Sequence, residues 1–127
     1  IDYFTPNETE ASFYVNHPVE THDDASKAAK TLLDMGIKNV IITLGEKGAY
    51  FANANETFSS PIANLSNPVV DTTGAGDAFN AGFAAALTED QNIKDAISFA
   101  SATAGLSTTK IGTANSMPSR EEIDKIL

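Results

Sequence analysis

Three features of this 127-residue chain predict an α/β fold whose sheet has an antiparallel edge. The first is an amphipathic segment, residues 23–35, followed by an almost continuously apolar run at 38–44. The second is a pair of short extended segments separated by turn residues, within residues 45–58. The third is a pair of Ala-rich segments, 78–87 and 93–108, that are typical of buried helices. Helix, strand, meander and helices in this order predict a layered α/β domain.

The N-terminal elements are predicted from helix-start and helix-stop residues. Ile1–Phe4 is predicted to be the end of a strand. Asn7–Val15 is predicted to be a short helix, because Pro6 introduces it and Asn7 suits its N-cap. The segment Asp23–Met35 places its apolar residues on one side, as an amphipathic helix requires, and Gly36 is its natural end. The apolar residues of that side are Ala25, Ala28, Ala29, Leu32 and Leu33.

A strand and a meander follow this helix. Residues 38–44 are apolar after the first two, as expected of a parallel strand covered on both faces. Residues 45–48 form a turn into a strand at 49–52. Residues 53–55 form a second turn into a strand at 56–58. This pattern predicts a meander at one edge of the sheet.

The C-terminal half alternates extended, glycine-rich and helical segments. Asn67–Val70 is predicted to be a strand that leads into a turn at Gly74–Gly76 and a buried helix at Ala78–Leu87. Ser119–Leu127 is predicted to be the last helix, begun by a serine and a glutamate at capping-box spacing.

The composition excludes several classes of protein. A formal charge of −9 argues against a nucleic-acid or anionic-membrane surface, since such binding depends on clustered Lys and Arg. Backbone amides and a divalent cation can still supply a positive field for ATP. The absence of cysteine excludes a disulfide framework and thiolate chemistry and fits a cytoplasmic protein. No run approaches the roughly 18 apolar residues of a membrane span.

Residues 71–82 carry the pattern of an anion site. Glycines stand where an extended segment gives way to a helix, and unpaired amides at a helix start favour a phosphate or a developing oxyanion. Asp77 lies in that helix start, where a carboxylate can act as a general base. The alternative is that Asp77 caps a helix and that Gly74 and Gly76 only make a tight turn.

Residues 71–82 closely resemble the C-terminal signature of the ribokinase-like (PfkB-type) carbohydrate kinases. Residues 5–11 resemble the Asn-x-x-Glu motif of that family, and residues 41–48 resemble its nucleotide-binding strand and turn. The tail, residues 108–124, is also similar, so the resemblance runs from end to end. It implies a three-layer α/β/α sandwich with a mostly parallel sheet. It further implies that residues 1–127 are the C-terminal portion of the kinase domain, without the sugar-binding portion and lid.

The resemblance also implies an activity, the transfer of the γ-phosphoryl group of ATP to a sugar hydroxyl. The two end motifs imply ribose, phosphorylated at O5, as the acceptor. Asp77 is then the catalytic base, and the anion hole is formed by Gly74, Ala75 and Gly76.

Nucleotide and magnesium contacts are implied at the other two motifs. Glu10 would act on Mg²⁺ and Asn7 would lie near the phosphates, although Asn7 also suits a helix cap and Glu10 a helix dipole. General surface statistics favour a solvated turn residue for Lys47, and a serine in an Ala-rich helix such as Ser101 is usually packed or bonded to its own backbone. The residues assigned to the nucleotide are Asn7, Thr43, Leu44, Gly45, Glu46, Lys47, Gly48, Gly76 and Ser101.

A K⁺ site beside the anion hole is implied as well, with contacts that are largely backbone carbonyls. The alternative is that Asp71 closes an Asx turn and that residues 107–116 are a polar loop. The residues assigned to K⁺ are Asp71, Thr73, Ser107, Lys110, Gly112 and Ser116.

Other functions stay open at this point. The chain can be a nucleotide-binding module without sugar chemistry, a related kinase of fructose-type sugars or nucleosides, or an oligomerisation scaffold. The intact Asp77 argues against the scaffold, which needs no base. We expect ATP and a small sugar as partners, and a homodimer for the full-length protein. His17 and His22 are expected at the surface, and the phenylalanines of the Ala-rich helices in the core.

Overall fold

The computed structural model describes residues 3–61, 75–89, 92–107, 121 and 123. The chain divides into two compact units, Ile1–Pro61 and Ile62–Leu127, which we call the N-terminal and C-terminal units. The predicted strand at 67–70 and the predicted capping box of the last helix lie outside the described residues, although residues 121 and 123 are helical.

The N-terminal unit is a four-stranded mixed sheet with two helices. Its strand order is β1-β2-β3-β4, with β1 parallel to β2 and both other pairings antiparallel. The predicted α/β class and the antiparallel edge meander are therefore confirmed. The elements are β1 (Tyr3–Phe4), α1 (Glu8–Val15), α2 (His22–Asp34), β2 (Asn39–Thr43), a 3₁₀ turn (Gly45–Lys47), β3 (Ala49–Asn53) and β4 (Thr57–Ser60).

The core of this unit forms where the apolar side of α2 meets the sheet. Four of the five apolar residues predicted on that side are fully buried, and Leu33 is half-buried against the same cluster. Val40, Ile41 and Ile42 of β2 are all 0% exposed, so this strand is buried on both faces as its continuous apolar run predicts.

The ends of α2 show what the sequence indicates and what it misses. Gly36 has a φ of 101°, a left-handed conformation that suits glycine after a helix, and the predicted stop is confirmed. The predicted start at Asp23 is one residue late. Thr21 is the N-cap, and its hydroxyl accepts from the Asp24 amide at 3.1 Å while the Asp24 carboxylate accepts from the Thr21 amide at 3.3 Å. The usual capping-box signature has Glu or Gln where this helix has Asp24, so the signature does not indicate the start of α2.

The described part of the C-terminal unit is a pair of packed helices, α3 (Ala75–Thr88) and α4 (Ile93–Ser107). The predicted start of α3 at Ala78 is wrong, because the helix begins at Ala75 and takes up most of the predicted turn. Asn92 caps α4, since its side-chain oxygen accepts from the Asp95 amide at 2.9 Å. Phe79, Phe83 and Phe99 are buried, as predicted.

Within the described ranges, no helix combines the length and the apolar character that crossing a bilayer requires.

Gly82 brings α3 and α4 close together. A Cβ placed on Gly82 would lie 2.6 Å from Thr103 Oγ1, 2.9 Å from Thr103 Cβ and 3.2 Å from Ala100 Cα. The Thr103 side chain cannot swing away freely, because it is buried and its hydroxyl donates to the Phe99 carbonyl at 2.9 Å. Only a residue without a side chain fits between these helices.

Replacing Gly82 by alanine is therefore expected to destabilise the protein by about 1–3 kcal/mol, the usual range for overpacking a close contact. The measurement is the free energy of unfolding in urea. Gly76→Ala is the matched control in the same helix, since a Cβ there meets no heavy atom within 4 Å among the described residues outside its own helix backbone. Equal stabilities of the Gly82 variant and the parent would contradict the account of this contact.

Candidate functional site

A backbone contact joins the start of α1 to the end of β2. The Thr43 amide donates to the Pro6 carbonyl at 3.0 Å, and Asn7 forms an isolated parallel bridge with Thr43. The Asn-x-x-Glu segment and the glycine turn after β2 are therefore neighbours in space. The carboxyl end of a strand is where α/β sheets commonly bind ligands.

Asn7 and Glu10 form a reciprocal capping box at the start of α1. The Glu10 amide donates to Asn7 Oδ1 at 2.8 Å, and the Asn7 amide donates to Glu10 Oε1 at 3.0 Å. Both residues are exposed. The helix-cap alternative is thus realised, and it fixes the Glu10 carboxylate at a helix N-terminus, where the dipole favours negative charge.

The turn after β2 is closed by three backbone hydrogen bonds. Leu44 donates to Gly48 at 2.7 Å, Lys47 to Leu44 at 3.1 Å and Gly48 to Gly45 at 3.1 Å. Gly45 and Gly48 have φ values of 58° and 90°, so both glycines occupy conformations that side chains disfavour.

Glu8 is a neighbour of this turn that the sequence analysis missed. Its Oε1 lies 3.8 Å from the position that a Cβ on Gly45 would take. In the sequence, Glu8 is visible only as an additional acid inside the Asn-x-x-Glu motif, and nothing there indicates its contact with the glycine turn.

Lys47 and His22 make contacts across the N-terminal unit that their local sequence does not indicate. Lys47 Nζ donates to the Glu20 carbonyl at 2.6 Å, and His22 Nε2 donates to the Lys47 carbonyl at 3.0 Å. His22 is half-buried, and its Nδ1 pairs with the Ser59 hydroxyl at 3.2 Å. The Lys47 ammonium therefore anchors the turn to the segment before α2.

In the C-terminal unit, Ala75, Gly76 and Asp77 form the first turn of α3. Gly76 and Asp77 are exposed and Ala75 is half-buried. Because the first amides of a helix have no partner within it, this turn presents the polar backbone groups that an anion requires. Asp71, Thr73 and Gly74 lie outside the described residues.

Two assigned residues lie on α4. Ser101 is half-buried, and Ser107 is 1% exposed with its hydroxyl donating to the Ala104 carbonyl at 2.7 Å. Ser107 ends the helix, so a contact through its backbone carbonyl is compatible with this side-chain bond. Lys110, Gly112 and Ser116 are outside the described part of the chain.

Metal ligands are sparse in the described ranges. No group of three or more His, Cys, Asp or Glu residues there is arranged to hold a metal ion. Mg²⁺ that accompanies a nucleotide takes only one or two carboxylates, the remaining ligands being phosphates and water. A single carboxylate such as Glu10 fits that pattern.

The fold is that of an α/β protein that presents polar backbone groups at the turn after β2 and at the start of α3. The chain belongs to the pfkB family of carbohydrate kinases, whose family model matches residues 1–120.

Similar proteins include kinases with different names. A ribokinase of Haemophilus influenzae is 43% identical over 122 residues, which are 96% of this chain and 39% of that protein. The structure of Arabidopsis thaliana ribokinase complexed with ribose and ATP has a TM-score of 0.92 and 38% identity, covering 99% of this chain and 40% of that one. Phosphofructokinase-2 from Escherichia coli, in complex with potassium, has a TM-score of 0.84 and 27% identity, with 99% and 40% covered. The chain thus spans about two fifths of the length of these proteins.

Among the described residues of the N-terminal unit, Asp24 has a clearly shifted pKa. The Glu20 amide, and after it the Thr21 amide and hydroxyl, hold the pKa of Asp24 below its ordinary value of 3.8. A carboxyl whose pKa is lower in the folded state stabilises that state above its unfolded pKa. The stabilisation disappears as the pH falls through the lowered folded value.

Asp24→Asn is therefore expected to lower the thermal midpoint at neutral pH, and the difference from the parent should shrink as the pH falls below 3.8. Thermal unfolding at a series of pH values measures this. Asp23→Asn, a change of the neighbouring first-turn acid, is the matched control. A difference that stays constant into strong acid would contradict the assignment.

Proposed function

We propose that these 127 residues form the C-terminal, nucleotide-binding portion of an ATP-dependent sugar kinase. The observation that carries the proposal is the first turn of α3, in which Asp77 is exposed beside the amides of Ala75 and Gly76. Such a turn offers a proton acceptor and an anion-binding backbone in one place. Membership of the pfkB family supports the choice of phosphoryl transfer.

In this proposal Asp77 takes the proton of a sugar hydroxyl. The oxygen then attacks the γ-phosphorus, and the bond between that phosphorus and the oxygen leading to the β-phosphate breaks, releasing ADP. The amides of the α3 start, with Gly74 before them, stabilise the charge on the transferred oxygens.

ATP is proposed to bind at both motifs of the N-terminal unit. The turn Thr43–Gly48 offers backbone amides and carbonyls whose directions are set by the positive φ of Gly45 and Gly48. Asn7 pairs directly with Thr43. The Arabidopsis ribokinase complex with ribose and ATP supports this ligand. Gly76 and Ser101 of the C-terminal unit are nucleotide contacts by the family resemblance alone.

Mg²⁺ and K⁺ are the proposed ions. Mg²⁺ would neutralise charge on the phosphates, and Glu10 suits it because its carboxylate is exposed and fixed by the capping box. A K⁺ site that includes Ser107 is supported by the potassium complex of Escherichia coli phosphofructokinase-2. Its other proposed ligands are Asp71, Thr73, Lys110, Gly112 and Ser116.

Ribose, phosphorylated to ribose 5-phosphate, is the proposed acceptor. The 43% identity to a ribokinase supports ribose, whereas the phosphofructokinase-2 likeness keeps fructose-type sugars as the alternative acceptor. A cytoplasmic homodimer is the proposed form of the complete protein.

A second candidate is ATP binding without phosphoryl transfer by these 127 residues. The specific observation is that all three motifs lie in a chain that spans 39% of the Haemophilus ribokinase. The two candidates differ in whether a sugar is consumed by this chain alone.

Asp77→Asn, in the complete protein, is expected to lower kcat by about 10²- to 10⁴-fold, because the proton acceptor is lost. The affinity for ATP is expected to change little, because the backbone amides remain. Steady-state rates with ribose, 2-deoxyribose and fructose 6-phosphate, together with a calorimetric titration of ATP, provide the measurement.

Asp95→Asn is the matched control for this experiment. Asp95 is also an exposed acid in the first turn of a helix, α4, and contacts Asn92. Its variant should keep the parental kcat. Parental turnover in the Asp77 variant would reject the base assignment, and failure of the parent to bind ATP would reject the nucleotide site.

Glu10→Gln is expected to weaken binding of MgATP more than binding of metal-free ATP. Glutamine keeps an oxygen acceptor for the Asn7 amide, so the capping box survives while the negative charge is removed. Paired titrations with and without Mg²⁺ measure the effect. Equal losses in both titrations would show that Glu10 acts only as a helix cap.

A further inference from the structure

We propose that His22 is a positioning residue for the glycine turn at Gly45–Gly48, and through it for the nucleotide. The inference rests on the proposed function only in that the turn contacts ATP. His22, Glu20, Lys47 and Ser59 form a connected set of contacts, which we call the clasp.

The clasp holds Lys47 by both its backbone and its side chain. The Lys47 carbonyl, at the end of the 3₁₀ turn, accepts from His22 Nε2 at 3.0 Å. The Lys47 ammonium donates to the Glu20 carbonyl at 2.6 Å. Two contacts on one residue restrict both the position and the rotation of the turn.

The groups that hold Lys47 are themselves fixed. The Glu20 amide donates to Asp24 Oδ2 at 3.1 Å, and His22 is the first residue of α2, directly after the Thr21 cap. The second ring nitrogen of His22 pairs with the Ser59 hydroxyl of β4 at 3.2 Å. The turn is thereby tied to a helix start and to the edge strand of the sheet.

The three backbone hydrogen bonds of the turn join only residues 44–48, so they do not tie the turn to the rest of the unit. The turn is a single 3₁₀ turn that begins at Gly45 and is followed by Gly48, both with positive φ, and glycine loses the most backbone freedom on ordering. A ligand that requires one conformation of the turn binds more weakly when that conformation is only partly populated. The clasp keeps the turn ordered before the ligand arrives.

The chemistry of the ring assigns its tautomer. A carbonyl oxygen only accepts, so Nε2 carries a hydrogen. A glutamine at position 22 can place its amide donor near the position of Nε2, whereas an asparagine reaches only the position of Nδ1. His22→Gln and His22→Asn therefore separate the contact with Lys47 from the contact with Ser59.

The test compares these two variants in binding of MgATP and in amide hydrogen exchange without ATP. His22→Asn is expected to raise the Kd for MgATP about threefold to tenfold, as the loss of one hydrogen bond implies. It is also expected to speed exchange of the Lys47 and Gly48 amides. His22→Gln should stay within about twofold of the parent in both measurements.

In the complete protein, the KM for ATP should rise in His22→Asn while kcat and the KM for the sugar stay at parental values. His17→Asn is the matched control, since the His17 ring contacts only the adjacent Pro18 carbonyl among its hydrogen bonds in the described residues. Equal behaviour of His22→Asn, His22→Gln and the parent would overturn the inference, as would an equal loss in both variants.

Failure of the inference differs from failure of the proposed function. If the parent does not bind MgATP, the nucleotide site is rejected, yet the exchange of the Lys47 and Gly48 amides still tests the clasp. If the parent binds MgATP and the variants do not differ, the clasp alone is rejected.

Discussion

The hydrogen bond from the Thr43 amide to the Pro6 carbonyl is the contact on which the N-terminal unit's site depends. It forms where β1 and β2 have ended as paired strands, and it extends their parallel register into the start of α1. Because Pro6 is buried and has no amide hydrogen of its own, its carbonyl is the group through which this segment joins the sheet. The cap of α1 and the glycine turn, which are distant in sequence, become neighbours through it.

The net negative charge of this chain repels ATP, the polyanion that it is proposed to bind. The formal charge is −9, and the Lys47 ammonium beside the proposed nucleotide turn is already engaged by the Glu20 carbonyl. Local positive potential can then come from the proposed Mg²⁺ and from helix N-termini and oriented amides, which act at short range and are little affected by net charge. The start of α1 is already capped and carries Glu8 and Glu10 in its first turn, which offset its dipole, whereas the start of α3 carries Asp77 alone there.

Periodicity and end signals in the sequence predict most of the elements. The apolar side of α2, the run of β2 and the stop at Gly36 depend on residues close together in the chain, which is why a pattern reveals them. The start of α3 is predicted three residues too late, because Gly-Ala-Gly is typical of a turn. In the structure Ala75 and Gly76 are helical, so the low helix propensity of glycine does not delay the helix there. The contacts of His22 with Lys47 and Ser59 join residues far apart in the chain, and no local pattern encodes such pairs.

The close approach at Gly82 limits how α3 can move. From Gly76 to Gly82 the helix rises about 9 Å at about 1.5 Å per residue, so the contact with Thr103 lies less than two turns from the proposed anion-binding end. Because this contact lies so near the helix start, α3 cannot slide along its axis or rotate about it relative to α4 without a steric clash with Thr103. The amides at the start of α3 are therefore fixed relative to α4, and a phosphate would have to adjust its own position to reach them.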